Sequence, residues 1–167
     1  MRIIVKMTHS EEKARDFFRF HLLKRTPSRY VYFGLAGITF VGAVVFLVLS
    51  RFYYAFFLSF VALMLLIIRK VVVNTTVNGI LKKLSLGEYN FSVRFEDEKV
   101  VYETASSRKE YSYGNIVGVA ETKRYVYLYV SPNAALILSK VNIKPKERTE
   151  LVDFLKGKCR YRRYSYK

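Results

Sequence analysis

Cysteine and histidine are scarce in this chain, and their scarcity excludes several kinds of site. Cys159 is the only cysteine, so no intramolecular disulfide can form. It adjoins Arg160, but no surrounding pattern of histidine, asparagine or aspartate indicates a nucleophile. His9 and His21 are the only histidines, and their spacing is too long for two metal ligands one turn apart on a helix. We expect neither a metal site nor a cofactor.

Catalytic motifs are missing as well. The sequence holds no H-E-x-x-H, no G-x-x-x-x-G-K-[ST] phosphate loop and no G-x-S-x-G turn. The acids Glu96, Asp97 and Glu98 cluster, but at a predicted hairpin turn, where solvation explains them. We therefore expect a protein that is not an enzyme.

Charge is almost absent from residues 30–68, where Arg51 is the only charged residue. The apolar run before Ser50 has about 20 residues, enough for a helix to cross a hydrocarbon core of about 30 Å. The run after Arg51 is shorter, but Arg69 and Lys70 can snorkel and extend its reach. This pattern predicts a transmembrane helical hairpin. The alternative, a buried hairpin in a soluble protein, is disfavoured because soluble helices alternate apolar and polar faces. Neither helix body carries an ionisable residue, which argues against a pump or a carrier.

Basic residues flank this hairpin on both outer sides, and the formal net charge is +16. By the positive-inside bias, both ends of the chain are expected in the cytoplasm. Two interpretations stay open: the excess serves topology alone, or it also binds an anionic inner leaflet. The residues predicted to contact the membrane surface are Lys24, Arg25, Arg29, Arg69, Lys70, Arg160, Arg162 and Arg163. Arginine and tyrosine in the tail could also bind nucleic acid, but tethering beside a membrane favours lipid, and a solubilising tail without a target stays open.

Sequence periodicity divides the chain into five segments. A short strand and an amphipathic helix are predicted in 1–29, the hairpin in 30–70 and a connecting helix in 71–88. From Tyr89 the apolar period changes to two, which predicts antiparallel strands, and Pro145 opens a final helix. Segment 89–158 is thus predicted to be a small antiparallel β domain closed by a helix, the plan of a pleckstrin-homology-like (PH-like) domain, and 159–167 a basic, aromatic tail. The fold class is an α+β membrane protein.

Two groups of residues are candidates for contacts. Gly34, Gly37 and Gly42 would let helices approach closely, either within the hairpin or against a second copy or a partner helix. Tyr125, Tyr127 and Tyr129 alternate along one strand. They predict cross-strand packing or, alternatively, an aromatic face that docks a partner protein.

The stretch YSYGNIVGVAETKRYVYLYVSPNAALILSKVNI, together with the order of elements, resembles the YcxB-like proteins of bacteria. In that family a tryptophan usually stands at the position of Tyr113. Ile116 and Glu121 match the pattern, whereas Ser139 replaces the usual proline before Lys140. The resemblance implies a bacterial cell-membrane protein with a cytoplasmic PH-like domain. It carries over no catalytic residue.

Our functional expectation is a non-enzymatic membrane adaptor or scaffold. Its cytoplasmic domain would bind a partner protein or the inner leaflet, and a homo-oligomer is also open. The alternative is a self-protection (immunity) factor against membrane-active bacteriocins, by analogy of architecture. We expect no nucleic-acid partner.

Overall fold

A computed structural model describes residues 3–84 and 87–166 and divides the chain into two compact units. The helical unit is Phe18–Ser85. The β unit combines Met1–Phe17 with Leu86–Lys167. Helix α1 (Glu11–Phe20) begins in the β unit and continues into a π-helical turn at His21–Arg25.

The helical unit consists mainly of two long apolar helices, α2 (Ser28–Val48) and α3 (Phe52–Leu84). Both are long and apolar enough to cross a membrane. Helix α3 has 33 residues without a break, so the predicted connecting helix is its last part. The physical reason is that Asn74 to Asn78 interrupt the apolar pattern without a proline that would end the helix.

A Schellman motif forms the turn between α2 and α3. The amide of Arg51 donates to the Phe46 carbonyl (2.9 Å), and the amide of Ser50 donates to the Leu47 carbonyl (3.0 Å). Ser50 takes the left-handed conformation that this motif requires, with φ of 57°. The three residues between the helices thus satisfy two of the carbonyls that the end of α2 would leave open.

Alanines line the contact between α2 and α3, where Ala36, Ala43, Ala55 and Ala62 are buried. A Cβ on Gly42 would lie 3.3 Å from Leu58 Cδ1, so this glycine is at the helix contact. A Cβ on Gly34 or Gly37 would meet nothing within 4 Å. Packing inside the hairpin therefore explains Gly42 but not Gly34 or Gly37. For these two glycines, contact with a second copy or a partner helix stays a prediction.

The β unit contains two four-stranded sheets. In the first, the order is β1-β2-β3-β4, all antiparallel. In the second, the order is β7-β6-β5-β8. The strands are β1 (Ile3–His9), β2 (Tyr89–Phe95), β3 (Lys99–Thr104), β4 (Arg108–Ser112), β5 (Gly118–Glu121), β6 (Tyr125–Tyr129), β7 (Ala135–Ser139) and β8 (Tyr161–Arg163).

Alternate residues of these strands face one apolar core. Val5 of β1 lies opposite Val93 of β2, and both belong to this core. Helix α4 (Pro145–Lys158) adds Leu151 and Leu155, which are fully buried. The mixture of helices and largely antiparallel sheets agrees with the predicted α+β class.

The predicted tail is partly a strand. β8 pairs with β5 in parallel, with Val119 opposite Tyr161 and Glu121 opposite Arg163. Three residues are too few for periodicity to reveal a strand, and the basic side chains conceal the pattern. Segment 160–166 therefore belongs to the second sheet and its edge; Lys167 lies outside the described residues.

Candidate functional site

Strand β8 places basic side chains along one edge of the second sheet. The amide of Val119 donates to the Arg160 carbonyl, and the amide of Tyr164 donates to the Glu121 carbonyl, both at 2.8 Å. Arg160, Arg162 and Arg163 are exposed on this edge. Three of the predicted membrane-surface residues are thus brought together: Arg162 and Arg163 lie in β8, and Arg160 directly precedes it.

A buried ion pair lies at the inner side of this edge. Lys140 Nζ is 2.5 Å from Glu121 Oε1 and donates a second hydrogen bond to the Thr122 carbonyl at 2.6 Å. Both residues are only 8% exposed. A buried charge without a partner is costly, so removing either Lys140 or Glu121 alone would destabilise the fold more than removing both.

The same carboxylate holds strand β8. The Tyr161 hydroxyl donates to Glu121 Oε2, and Arg163 Nε lies 3.7 Å from that oxygen. Burial alone would raise the pKa of Glu121, but the hydrogen bonds from Lys140 and Tyr161 and the nearby positive charges lower it. Burial and the hydrogen bond to Glu121 raise the pKa of Tyr161 above its usual range. Glu121 is therefore ionised, and its carboxylate links β5 to Lys140 and, through Tyr161, to β8.

A glycine permits β8 to approach β5. A Cβ on Gly118 would lie 3.0 Å from the Arg160 carbonyl oxygen, closer than real Cβ atoms usually come, and its φ is 157°. Thr122 then closes the β5–β6 turn, since its hydroxyl donates to the Tyr125 carbonyl at 3.1 Å. These local features fix the position of Glu121.

The other predicted membrane-surface residues belong to the helical unit. Arg69 Nη2 donates to the Leu23 carbonyl at 2.7 Å, and its guanidinium lies 5.1 Å from the ring centre of Phe33. Arg69 is therefore engaged within the chain. Lys24 and Lys70 are exposed, whereas the side chain of Arg29 lies outside the described part of the structure.

The tyrosine stripe on β6 is buried. Tyr127 and Tyr129 are 0% exposed and Tyr125 is 9% exposed. The ring of Phe17, from α1, lies 5.4 Å from that of Tyr127 and 5.7 Å from that of Tyr129. The interpretation of the three tyrosines as an exposed docking face is therefore wrong, because Phe17 of the chain's own helix α1 packs against Tyr127 and Tyr129. This packing also explains why both faces of β6 are apolar.

Two adjoining cavities of about 540 and 640 Å³ lie in the β unit, and they share Asn90, Thr104 and Ala105. Their remaining lining residues include lysines, glutamates and several hydroxyl-bearing side chains, and this mixture does not indicate one class of ligand. Among residues 3–84 and 87–166, no cluster of three or more histidine, cysteine, aspartate or glutamate side chains could hold a metal ion. The best-defined site of the β unit is therefore the β8 edge with its ionic cluster.

By fold, this is a mixed helix and antiparallel-sheet protein with two long apolar helices. Residues 95–155 match the family model described as YcxB-like protein, so the resemblance found in the sequence is confirmed over that segment. No curated protein and no solved structure matches the chain.

The residues on which the family resemblance rested have defined contacts in the β unit. The Tyr113 hydroxyl donates to the Glu96 carbonyl at 2.9 Å, and Ile116 lies in the core. Glu121 forms the ionic cluster. Sequence reasoning missed Lys140 as its partner, and the available signal was a lone lysine directly after the strand Ala135–Ser139.

Proposed function

We propose that this protein is a non-enzymatic membrane adaptor. In this proposal the helical unit spans the bilayer, both ends of the chain lie in the cytoplasm, and the β unit is a cytoplasmic PH-like domain. That domain would bind a partner protein or the inner leaflet.

The observation that supports this proposal most is the outer surface of the hairpin. The two helices bury alanines against each other, whereas large apolar side chains point outward: Ile38 is 73% exposed and Phe56 is 76% exposed. Water would disfavour each such side chain by about 1.5–3 kcal/mol relative to an apolar environment. A bilayer supplies that environment for an entire helix surface.

The build of the β unit supports the domain assignment. Antiparallel strands form two sheets over one core, and α4 contributes buried leucines to it. This is the arrangement expected for a PH-like domain, and such domains commonly act through binding surfaces. Function nevertheless depends on the site rather than on the fold.

The test is affinity purification of the full chain from native membranes in mild detergent, with cross-linking and mass spectrometry. An adaptor should be recovered from the membrane fraction with one partner in a fixed ratio, cross-linked to lysines of the β unit such as Lys109 or Lys146. Recovery of the protein in the soluble fraction, or alone in several detergents, would count against the adaptor.

If the protein is recovered from membranes without a partner, the self-protection alternative is favoured. Expression in a strain sensitive to membrane-active bacteriocins would then test that alternative. Survival that is unchanged relative to the empty vector would remove it.

A further inference from the structure

Exposed cations gather where strand β8 meets the β5–β6 turn. We call this group the β8 basic patch. Its members, all exposed, are Lys123, Arg124, Arg160, Arg162 and Arg163.

Backbone hydrogen bonds bring the two parts of the patch together. The amide of Lys123 donates to the Tyr166 carbonyl at 3.2 Å, and the amide of Tyr164 donates to the Glu121 carbonyl at 2.8 Å. Neighbouring strands lie about 4.8 Å apart. The arginines at β8 and the cations of the turn therefore lie along the same edge of the second sheet, although they are far apart in sequence. Arg162 and Arg163 are successive strand residues and point to opposite faces of that edge.

The carboxylate closest to β8 offsets only part of this positive charge. Glu121 is buried and engaged with Lys140. Arg163 reaches it only at 3.7 Å, and the Arg163 side chain stays 80% exposed. Glu12 and Asp16 of α1 act electrostatically on Tyr125, as does Arg124, and Asp153 acts on Tyr161, so these acids lie near the patch. The patch itself keeps an excess of positive charge.

An aromatic side chain accompanies the arginines. The Arg162 guanidinium lies 5.3 Å from the ring centre of Tyr164, which is half-buried. Guanidinium groups bind phosphate through paired hydrogen bonds, and tyrosines are enriched at the headgroup level of membranes. A surface that combines the two suits the phosphate headgroups of a bilayer.

We infer that the β8 basic patch binds the phosphate headgroups of anionic lipids. This inference rests on the proposed function, because a membrane-spanning hairpin would keep the β unit beside a bilayer at high effective concentration. Each basic residue near an anionic leaflet contributes about fivefold to binding, so Arg162 and Arg163 together should contribute roughly thirtyfold.

The test uses the full chain in lipid nanodiscs. In a Cys159→Ala background, a fluorophore on Ser165→Cys reports proximity to lipids that carry a nitroxide quencher in the headgroup. We expect strong quenching in discs with phosphatidylglycerol and weak quenching in discs of phosphatidylcholine alone. Salt on the order of 1 M, where the Debye length is about 3 Å, should abolish the difference.

Charge reversal supplies the matched variants. Arg162→Glu with Arg163→Glu should remove the lipid-dependent quenching, and Lys123→Glu with Arg124→Glu should weaken it independently. The control is Lys144→Glu with Lys146→Glu, two exposed lysines at the start of α4, which should leave it unchanged.

Equal quenching in both lipids, or equal quenching in the β8 variant and the control, would overturn the inference. Loss of the quenching in anionic discs when a short DNA or an acidic peptide is added, at concentrations where matched ionic strength has no effect, would assign the patch to another polyanion and would also overturn the inference. If the chain does not enter nanodiscs at all, the proposed membrane anchor fails instead.

Discussion

Replacing Lys140 by methionine should destabilise the β unit strongly. The substitution keeps most of the side-chain volume but removes the ammonium group that contacts Glu121 and the Thr122 carbonyl. Glu121 would then be buried with only the Tyr161 hydroxyl and a distant Arg163.

The magnitude follows from the burial of the pair. Both side chains are about one-tenth exposed, so solvent screens them little. Removing one partner of a buried ion pair costs about 3–5 kcal/mol. For a unit of roughly 100 residues, a cost of 3 kcal/mol lowers the midpoint of thermal unfolding by about 12–24 °C.

The single cysteine provides the assay. Cys159 is half-buried and packs against the core of the β unit, and burial raises the pKa of its thiol. It should therefore react slowly with a fluorogenic maleimide until the β unit unfolds. The full chain in detergent can be heated with this reagent, and the midpoint of labelling compared between variants.

Two further variants make the result specific. Lys144→Met removes a lysine that is 82% exposed, and it should leave the midpoint unchanged. The double variant Lys140→Met with Glu121→Met should be more stable than Lys140→Met alone, because no unpaired charge stays buried. A Lys140→Met midpoint equal to that of the wild type would refute the buried pair.

Three other expectations concern single residues. Because the pKa of Glu121 is lowered in the folded state, its stabilising contribution should be complete above the ordinary value of 4.5 and be lost as the pH falls through the lowered pKa. Thermal midpoints for wild type and Glu121→Gln should therefore converge in acid, and a constant difference would contradict this; they are followed by circular dichroism, because a protonated thiol hardly reacts with maleimide. Gly118→Ala should cost about 1–3 kcal/mol in the maleimide assay, since its Cβ would press on the Arg160 carbonyl; an unchanged midpoint would place β8 elsewhere. Ser50→Gly should stabilise the hairpin by up to about 1 kcal/mol in detergent unfolding, because φ is 57° there; destabilisation would contradict the Schellman turn.

Periodicity and hydropathy predicted most of the fold. The apolar run around Arg51 gave both long helices, and the alternation of Phe91, Val93 and Phe95 gave a strand whose apolar side faces the core. These signals are reliable because each depends on which face of one element is buried.

Long-range pairing was not predictable in the same way. Strand β8 is short and basic, and its parallel partner β5 is about forty residues away in sequence. For Tyr125, Tyr127 and Tyr129 the sequence predicted packing but left a docking face open, because no local pattern shows that Phe17 covers Tyr127 and Tyr129. Lys140 gained its role only from a carboxylate nineteen residues earlier.

The central claim is that the hairpin crosses a membrane with the β unit in the cytoplasm, and cysteine accessibility tests it most directly. In a Cys159→Ala background, Arg51→Cys should react with a membrane-impermeant maleimide in intact cells. Ser165→Cys should react only after the cells are permeabilised. Labelling of Ser165→Cys in intact cells would contradict the topology, and loss of the protein from the membrane fraction would contradict the anchor itself.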